Sequence, residues 1–466
     1  MAGSHDRTDT SIFSIRRILA LSWVTATTVV FFNVFLKFLN RQILENPPSI
    51  PVYWPVSIFV FRLGRLRLGW AIPMLVAALV VFVAAAIYLR DDERSLAPVV
   101  VAGLALLVCS NLFHGFTHGF VVPLATREGY YQLATTIVDP LAFVRTYEAH
   151  QLSYVVHAKT HPPGAVLTFT LLDWIFGSRA PIAAAIGVLS LVLSATLVYR
   201  LVSTYYERGI AQYTTLLFVL VPAVQLFYLA TIDALVATLL LAAVYFFTRE
   251  SRFAPLLTFA CLLVVSFQVF QFVFVLPVLA AIALFRREKI PAFVGIVLAL
   301  VGVYVLVAIG MDYNYLDSFL MASHQQNPEG FMLFAAPADY VFTRFEDIAE
   351  LLLFFSPFLC LLAVRGFRVL WHDLRGARWW TLSNVPEREP FVIALAAVGT
   401  FVAMLAVGVY HTGETARGAL YMYPFLVLPV AAALERLRPR WRDKWVLAGA
   451  VLAQTLFLQL LGSYLW

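Results

Sequence analysis

Four stretches hold most of the residues able to do chemistry. REGYYQLATTIVDP, 127–140, carries Arg127, Glu128, Tyr130, Tyr131 and Asp139. HAKTHPP, 157–163, sets His157, Lys159 and His161 against a Pro-Pro pair. SHQQNPEGF, 323–331, carries His324, and YHTGETARG, 410–418, carries His411, Glu414 and Arg417. A carboxylate such as Glu128 can take a proton from a hydroxyl. Cations such as Lys159 and Arg417 can hold a phosphate as it leaves with growing charge. Together these are the parts of a group transfer at a membrane surface. The plainer alternative is that each is a solvated loop residue, with the elbow only starting a helix and its cations meeting lipid headgroups.

The elements that must position these residues are apolar. Of 466 residues, 61% are hydrophobic and 13% charged, against roughly 25% charged in soluble domains. Mean hydropathy is +0.83. Apolar runs of bilayer-spanning length recur from end to end without alternation, which predicts an all-α polytopic membrane protein and argues against a β-barrel. The bundle is expected to hold about 11–13 spans. Net charge is only +6, and all but four of the 33 basic residues are arginine. They cluster in short loops, as topology signals do, so nucleic acid is not an expected partner. Cys109, Cys261 and Cys360 lie inside apolar runs and suggest neither a disulfide framework nor a metal cluster.

The sequence predicts a disordered cytoplasmic N-terminus over 1–17 and one membrane domain over 18–466. Basic clusters at 249–252, 286–289, 365–378 and 436–444 all fall inside only if 163–177 does not cross the bilayer. That segment is short for a span and suits an interfacial helix started by Pro162-Pro163. The outer loops are then 118–180, 311–346 and 410–418, and the site faces outside. Arg62, Arg65 and Arg67 also fall outside on this count, unless the apolar stretch 51–64 is re-entrant or interfacial. Breaks are expected between Pro222 and Asp233, and within 253–285. Asp233 reads equally as a helix-start residue behind Thr231 or as a carboxylate facing a cavity.

In their order, these segments resemble the GT-C superfamily of integral-membrane glycosyltransferases, in particular its family 39-like protein O-mannosyltransferase and aminoarabinose transferase branches. REGYYQLA is similar to the family's acidic loop motif, with Glu128 in the acidic position, Tyr131 as its tyrosine and Arg127 in place of a second acid. KTHPPGAVLTFTLLDWIFG is similar to its Lys-Pro-Pro elbow, with His161 where lysine is usual. VPAVQLFYLATIDALVATLLL resembles its mid-chain span, and GETARGALYMYPFLVLP resembles its late segment. The likeness covers roughly residues 97–434.

The resemblance implies a GT-C bundle with interfacial helices in the first outer loop and a polyprenyl-phosphate sugar donor. Glu128 would be the base. Lys159, His161 and Arg417 would face the donor phosphate. Arg127, Tyr131, Asp139, His157, His324 and Glu414 would line the substrate. The implied location is a prokaryotic plasma membrane, with membrane lipid as a partner and a protein, lipid or glycan as acceptor. No nucleotide-binding glycine motif is present, in keeping with a lipid-linked donor. No cofactor is required, and no spacing demands a metal, although the histidines and acids allow a divalent ion. A transporter or flippase of a lipid-linked glycan would instead need mid-bilayer polar residues and often a repeat. A catalytically silent scaffold of the same fold is the third alternative.

Overall fold

The computed structural model describes residues 17–28, 60–61, 66–90, 95–126, 129–374, 388–409 and 415–463. The chain is an all-α, multi-pass membrane protein. Among the described residues five helices are long and apolar enough to cross a bilayer: Leu68–Tyr88, Arg179–Val202, Arg287–Met311, Glu389–Ala406 and Trp441–Leu461. Two bent pairs, Pro337–Phe355 with Pro357–His372 and Thr415–Tyr421 with Tyr423–Leu437, raise that to seven. The remaining apolar helices are shorter than a span.

The difference from about 11–13 spans has a physical cause. Apolar runs that read as continuous are interrupted. The Arg208–Leu220 helix ends before Pro222, a short helix follows over Pro222–Phe227, and Ile232 starts the next at Ile232–Thr248. This is the break expected there. The run 253–285 likewise divides into Ala254–Ser266 and Leu276–Phe285, separated by a 3-10 segment over Phe270–Val275. Pro337–Phe355 and Pro357–Leu374 meet at Ser356, where φ is 79°. The reading of 51–64 as re-entrant lies almost wholly outside the described residues. Val60–Phe61 alone appears there, paired antiparallel with Gly462–Ser463.

The core is built by helices whose facing residues are small or branched. On Arg179–Val202, Ile182, Ala183, Ile186, Gly187, Ser190, Leu191, Ser194 and Ala195 are buried, a 3–4 spacing that keeps one face inward. Ser194 and Thr238 hydrogen-bond across to Ile232–Thr248 at 2.8 Å, and the Tyr228 hydroxyl donates to Ser194 at 3.2 Å.

The described residues between 118 and 180 are mostly helical. Tyr130–Ala134, Pro140–His150, Val156–Lys159 and Gly164–Phe176 follow one another. The last spans 13 residues, about 20 Å at the helical rise, too short for a hydrocarbon core of about 30 Å. Pro163 stands at its start with φ −61°, and Gly177 ends it in the left-handed region at φ 65°. Leu171, Trp174, Ile175 and Phe176 on it are exposed, as a helix lying in an interface requires.

Candidate active site

A cavity of about 100 Å³ lies where the 118–180 segment meets the starts of the Ile232–Thr248 and Thr415–Gly418 helices. Its polar lining includes Tyr130, Tyr131, His157, His161, Asp233 and Arg417. An adjoining, mainly apolar groove shares Asp233 and Arg417 and is walled by Val236, Leu240, Val269 and Leu420.

The elbow holds its two histidines by backbone geometry. The buried Tyr147 hydroxyl donates to the carbonyls of Ala158 and, at 2.5 Å, His161. Gln151 donates to the carbonyls of Lys159 and Ser318, each at 2.9 Å, and accepts from the Ser318 hydroxyl at 2.7 Å. The elbow is thereby tied to the Tyr315–Gln326 helix. Pro162 and Pro163 are buried, and Gly164 abuts the Phe267 carbonyl so closely that a Cβ would have no room. The helix after the elbow is fixed against the end of Ala254–Ser266.

The His161 ring meets Tyr130 edge-on, with centroids 5.5 Å apart, and Tyr130 stacks on Phe169. His161 Nδ1 lies 3.0 Å from the His157 carbonyl. A carbonyl only accepts, so Nδ1 carries the proton and the neutral ring keeps its lone pair on Nε2. Burial holds the His161 pKa down to about 4, with Arg417 adding to the fall and Asp233 opposing it. Burial, then Arg417, hold His157 down to about 3. At neutral pH both rings are uncharged. With Nδ1 protonated and the ring uncharged, His161 offers the cavity an acceptor at Nε2.

Arg417 supplies the cation. Its Nε lies 3.2 Å from Asp233 Oδ2, with the two side chains 14% and 22% exposed. Asp233 sits in the first turn of its helix, while Thr231 caps it by accepting from the Ala234 amide at 3.4 Å. The two readings of Asp233 are thus divided between neighbours: Thr231 caps, and Asp233 faces the cavity. Ala230, also on the wall, has φ 69°, a conformation an L residue holds only where its surroundings enforce it.

Tyr131 and His157 join this cavity. The Tyr131 hydroxyl donates to Asp173 Oδ1 at 2.5 Å, and Arg179 lies 5.3 Å from its ring centre. Burial and the Asp173 carboxylate raise its pKa to about 12. Arg127, Glu128 and Glu414 lie outside the described residues, although Thr126 and Gly129, on either side of the first two, both line the cavity. Lys159 is half-buried on the elbow and is not part of the lining. Asp139 caps Pro140–His150, accepting from the Leu141 and Ala142 amides at 2.9 and 3.1 Å. His324 is exposed on Tyr315–Gln326. Among the described residues no three His, Cys, Asp or Glu side chains gather as metal ligands.

One wall escaped sequence reasoning. Asn111, His114, His118 and Gln459 line the same cavity. The His-x-x-x-His spacing of 114 and 118, and a glutamine inside the last apolar run, were the available signals. A polar group in a span is expensive unless it faces partners or a cavity. Here the Gly119 backbone passes the Asn111 carbonyl with no space for a Cβ, in a turn of π-helix over Thr117–Val121, a distortion often found at functional sites.

No protein-family model matches the chain, and no curated protein matches it. Among solved structures, the oligosaccharyltransferase of Archaeoglobus fulgidus in its apo form aligns with a TM-score of 0.43 at 13% identity, over 78% of this chain and 56% of that one. The same oligosaccharyltransferase in complex with Zn and sulfate gives a TM-score of 0.46 at 14% identity, over 78% and 53%. The chain spans about half the length of these structures.

Proposed function

We propose that the chain is a GT-C-type membrane glycosyltransferase that moves a sugar from a polyprenyl-phosphate donor to a hydroxyl acceptor on the outer face of the membrane. The observation that carries this reading is the place of Arg417, on the shared wall of a cavity lined by tyrosines and histidines and a groove lined by aliphatic side chains. A lipid-phosphate sugar has the matching three parts. Its phosphate is assigned to Arg417, its tail to the Val236–Leu240–Val269 side, and its sugar to the larger cavity. Lys159 adds positive potential from the elbow.

In the proposed reaction Glu128 takes the proton of the acceptor hydroxyl. The oxygen attacks the anomeric carbon from the face opposite the phosphate and forms the new C–O bond. The bond from that carbon to the phosphate oxygen breaks, and its electron pair leaves with polyprenyl phosphate, whose charge Arg417 offsets. In-line attack inverts the anomeric centre.

The test is transfer of radiolabelled sugar from a panel of polyprenyl-phosphate hexoses and pentoses in membranes, comparing wild type with Glu128→Gln at matched expression. Transfer by the wild type that disappears in the variant is the expected result. Transfer that survives removes Glu128 from the role of base. No transfer from any donor, alongside a working control transferase, rejects the enzyme.

A further inference from the structure

We infer that the cavity recognises its ligand through fixed hydrogen-bond acceptors, with His161 Nε2 foremost, so that this part of the site takes the hydroxyl groups of the sugar and turns the phosphate away. The inference rests on the lipid-linked-sugar reading above and assigns which residue meets which part of the donor.

The surroundings of the side chains dictate where their protons lie. His161 Nδ1 faces the His157 carbonyl at 3.0 Å, which leaves a lone pair on Nε2. Nε2 has no hydrogen-bond partner among the described residues, and His161 lines the cavity. A cationic ring there would sit in the field of Arg417, in a site that is already desolvated.

A second group of lining residues repeats the pattern. Asn111 Nδ2 donates to the carbonyls of Leu107 at 2.8 Å and Gln225 at 2.9 Å, so its amide cannot be turned round. Its Oδ1 therefore accepts from Gln459 Nε2 at 3.2 Å, which fixes Gln459 in turn and leaves Gln459 Oε1 as an acceptor. His114 Nε2 lies 2.9 Å from the Gln459 carbonyl and donates to it, which in the neutral tautomer puts the lone pair on Nδ1. Gln459 Oε1 and His114 Nδ1 are buried with no partner among the described residues. Unpaired buried acceptors are uncommon and costly, and both belong to residues that line the cavity.

Three lone pairs, one on the elbow and two in the network around Gln459, favour a ligand rich in O–H donors. They disfavour a phosphate, whose oxygens are themselves acceptors. Arg417, whose guanidinium has only donors, is left to take the phosphate. The donor's direction in the site follows from this division.

The experiment measures binding by the purified full chain in detergent, independent of turnover. The probes are undecaprenyl phosphate, the same lipid phosphate carrying mannose, glucose or arabinose, and the methyl glycosides of those sugars. His161→Asn keeps an N–H close to the position of Nδ1 and deletes the Nε2 lone pair. His161→Lys replaces the acceptor by a cation. In the wild type at least one sugar-bearing lipid should bind about tenfold or more tighter than the bare lipid phosphate. In His161→Asn that advantage should fall to near one, with affinity for bare undecaprenyl phosphate unchanged, which also reports an intact fold. His161→Lys should bind the bare phosphate more tightly than wild type. Should His161→Asn fold poorly, Gln459→Met must narrow the same advantage.

Equal weakening of bare and sugar-bearing lipid in His161→Asn would make His161 a phosphate ligand and overturn the inference. So would a wild type that gains nothing from any sugar, while the lipid-phosphate reading survived. Methyl glycosides that bind, with lipid phosphate that does not, would leave hydroxyl recognition standing and remove the donor class. Binding of neither rejects both.

Discussion

Two arginine–carboxylate pairs join distant parts of this chain, and they differ in what surrounds them. Arg286 Nη2 meets Glu389 Oε2 at 2.5 Å, and the Tyr205 hydroxyl donates to the same oxygen at 2.8 Å. Glu389 is fully buried, and Arg286 also reaches Glu250 at 3.5 Å. Arg417 and Asp233 meet at 3.2 Å on the wall shared by a cavity and a groove, each partly open. The first pair has a fully enclosed carboxylate held by two donors, and ties the end of Leu276–Phe285 to the start of Glu389–Ala406. The second is built where a ligand can reach it. On the proposed function one chemistry serves as a fastening in one place and as a binding group in the other, and the enclosure of the carboxylate decides which.

Removing one partner from each pair should separate the two uses. Arg286→Ala leaves Glu389 buried without its cation, a change that costs about 3–5 kcal/mol. Thermal unfolding in detergent should fall sharply, while sugar transfer per folded molecule changes little. Arg417→Ala should do the reverse. Its expected loss is about 10²–10³-fold in transfer, as for removal of one preorganised charge-stabilising donor, with a smaller fall in the unfolding temperature. Equal signatures for the two variants would end the distinction.

Acid sharpens it further. The unfolded chain protonates histidine near 6.5, whereas burial holds His157 and His161 to about 3 and about 4 in the folded protein. The stabilisation from keeping these rings neutral is therefore complete above pH 6.5, and drains away as pH falls from 6.5 towards 4. Unfolding temperatures measured from pH 7.5 to 4.5 should decline, and the decline should be shallower in His161→Asn. An identical slope in the variant would remove His161 from this account.

The legible part of the molecule was the part that composition and punctuation encode. Hydropathy gave the membrane class, Pro162-Pro163 gave the elbow, and Pro222 gave a helix break. The same signals placed Tyr131, His157, His161 and Arg417 in outer segments, and the cavity gathers these four. Three features could not be read. The protonation of His161 depends on a carbonyl that approaches its Nδ1 only after the elbow folds. The Arg417–Asp233 pair depends on tertiary packing between segments far apart in sequence. The Asn111–His114–Gln459 wall joins the end of Ala97–Asn111 to Trp441–Leu461, and in sequence its members are isolated polar residues in or beside apolar runs. Asp139 was legible as a polar group but not as a cap, since a carboxylate before Pro-Leu-Ala suits either role.

Two helix caps give the smallest and finest version of the comparison. Thr231 and Asp139 each cap a helix start, Thr231 on the cavity wall and Asp139 on an exposed turn. Replacing either by alanine should cost about 1 kcal/mol of stability. The effects on transfer should diverge. Thr231→Ala loosens the turn that carries Asp233, and so shifts the partner that orients Arg417, so transfer per folded molecule should fall several-fold. Asp139→Ala releases only the start of Pro140–His150, and transfer per folded molecule should match wild type. Activity lost in Asp139→Ala beyond its loss of folded protein would return Asp139 to the substrate side of the site. Full activity in Thr231→Ala would show that Arg417 holds its place without help from the helix start.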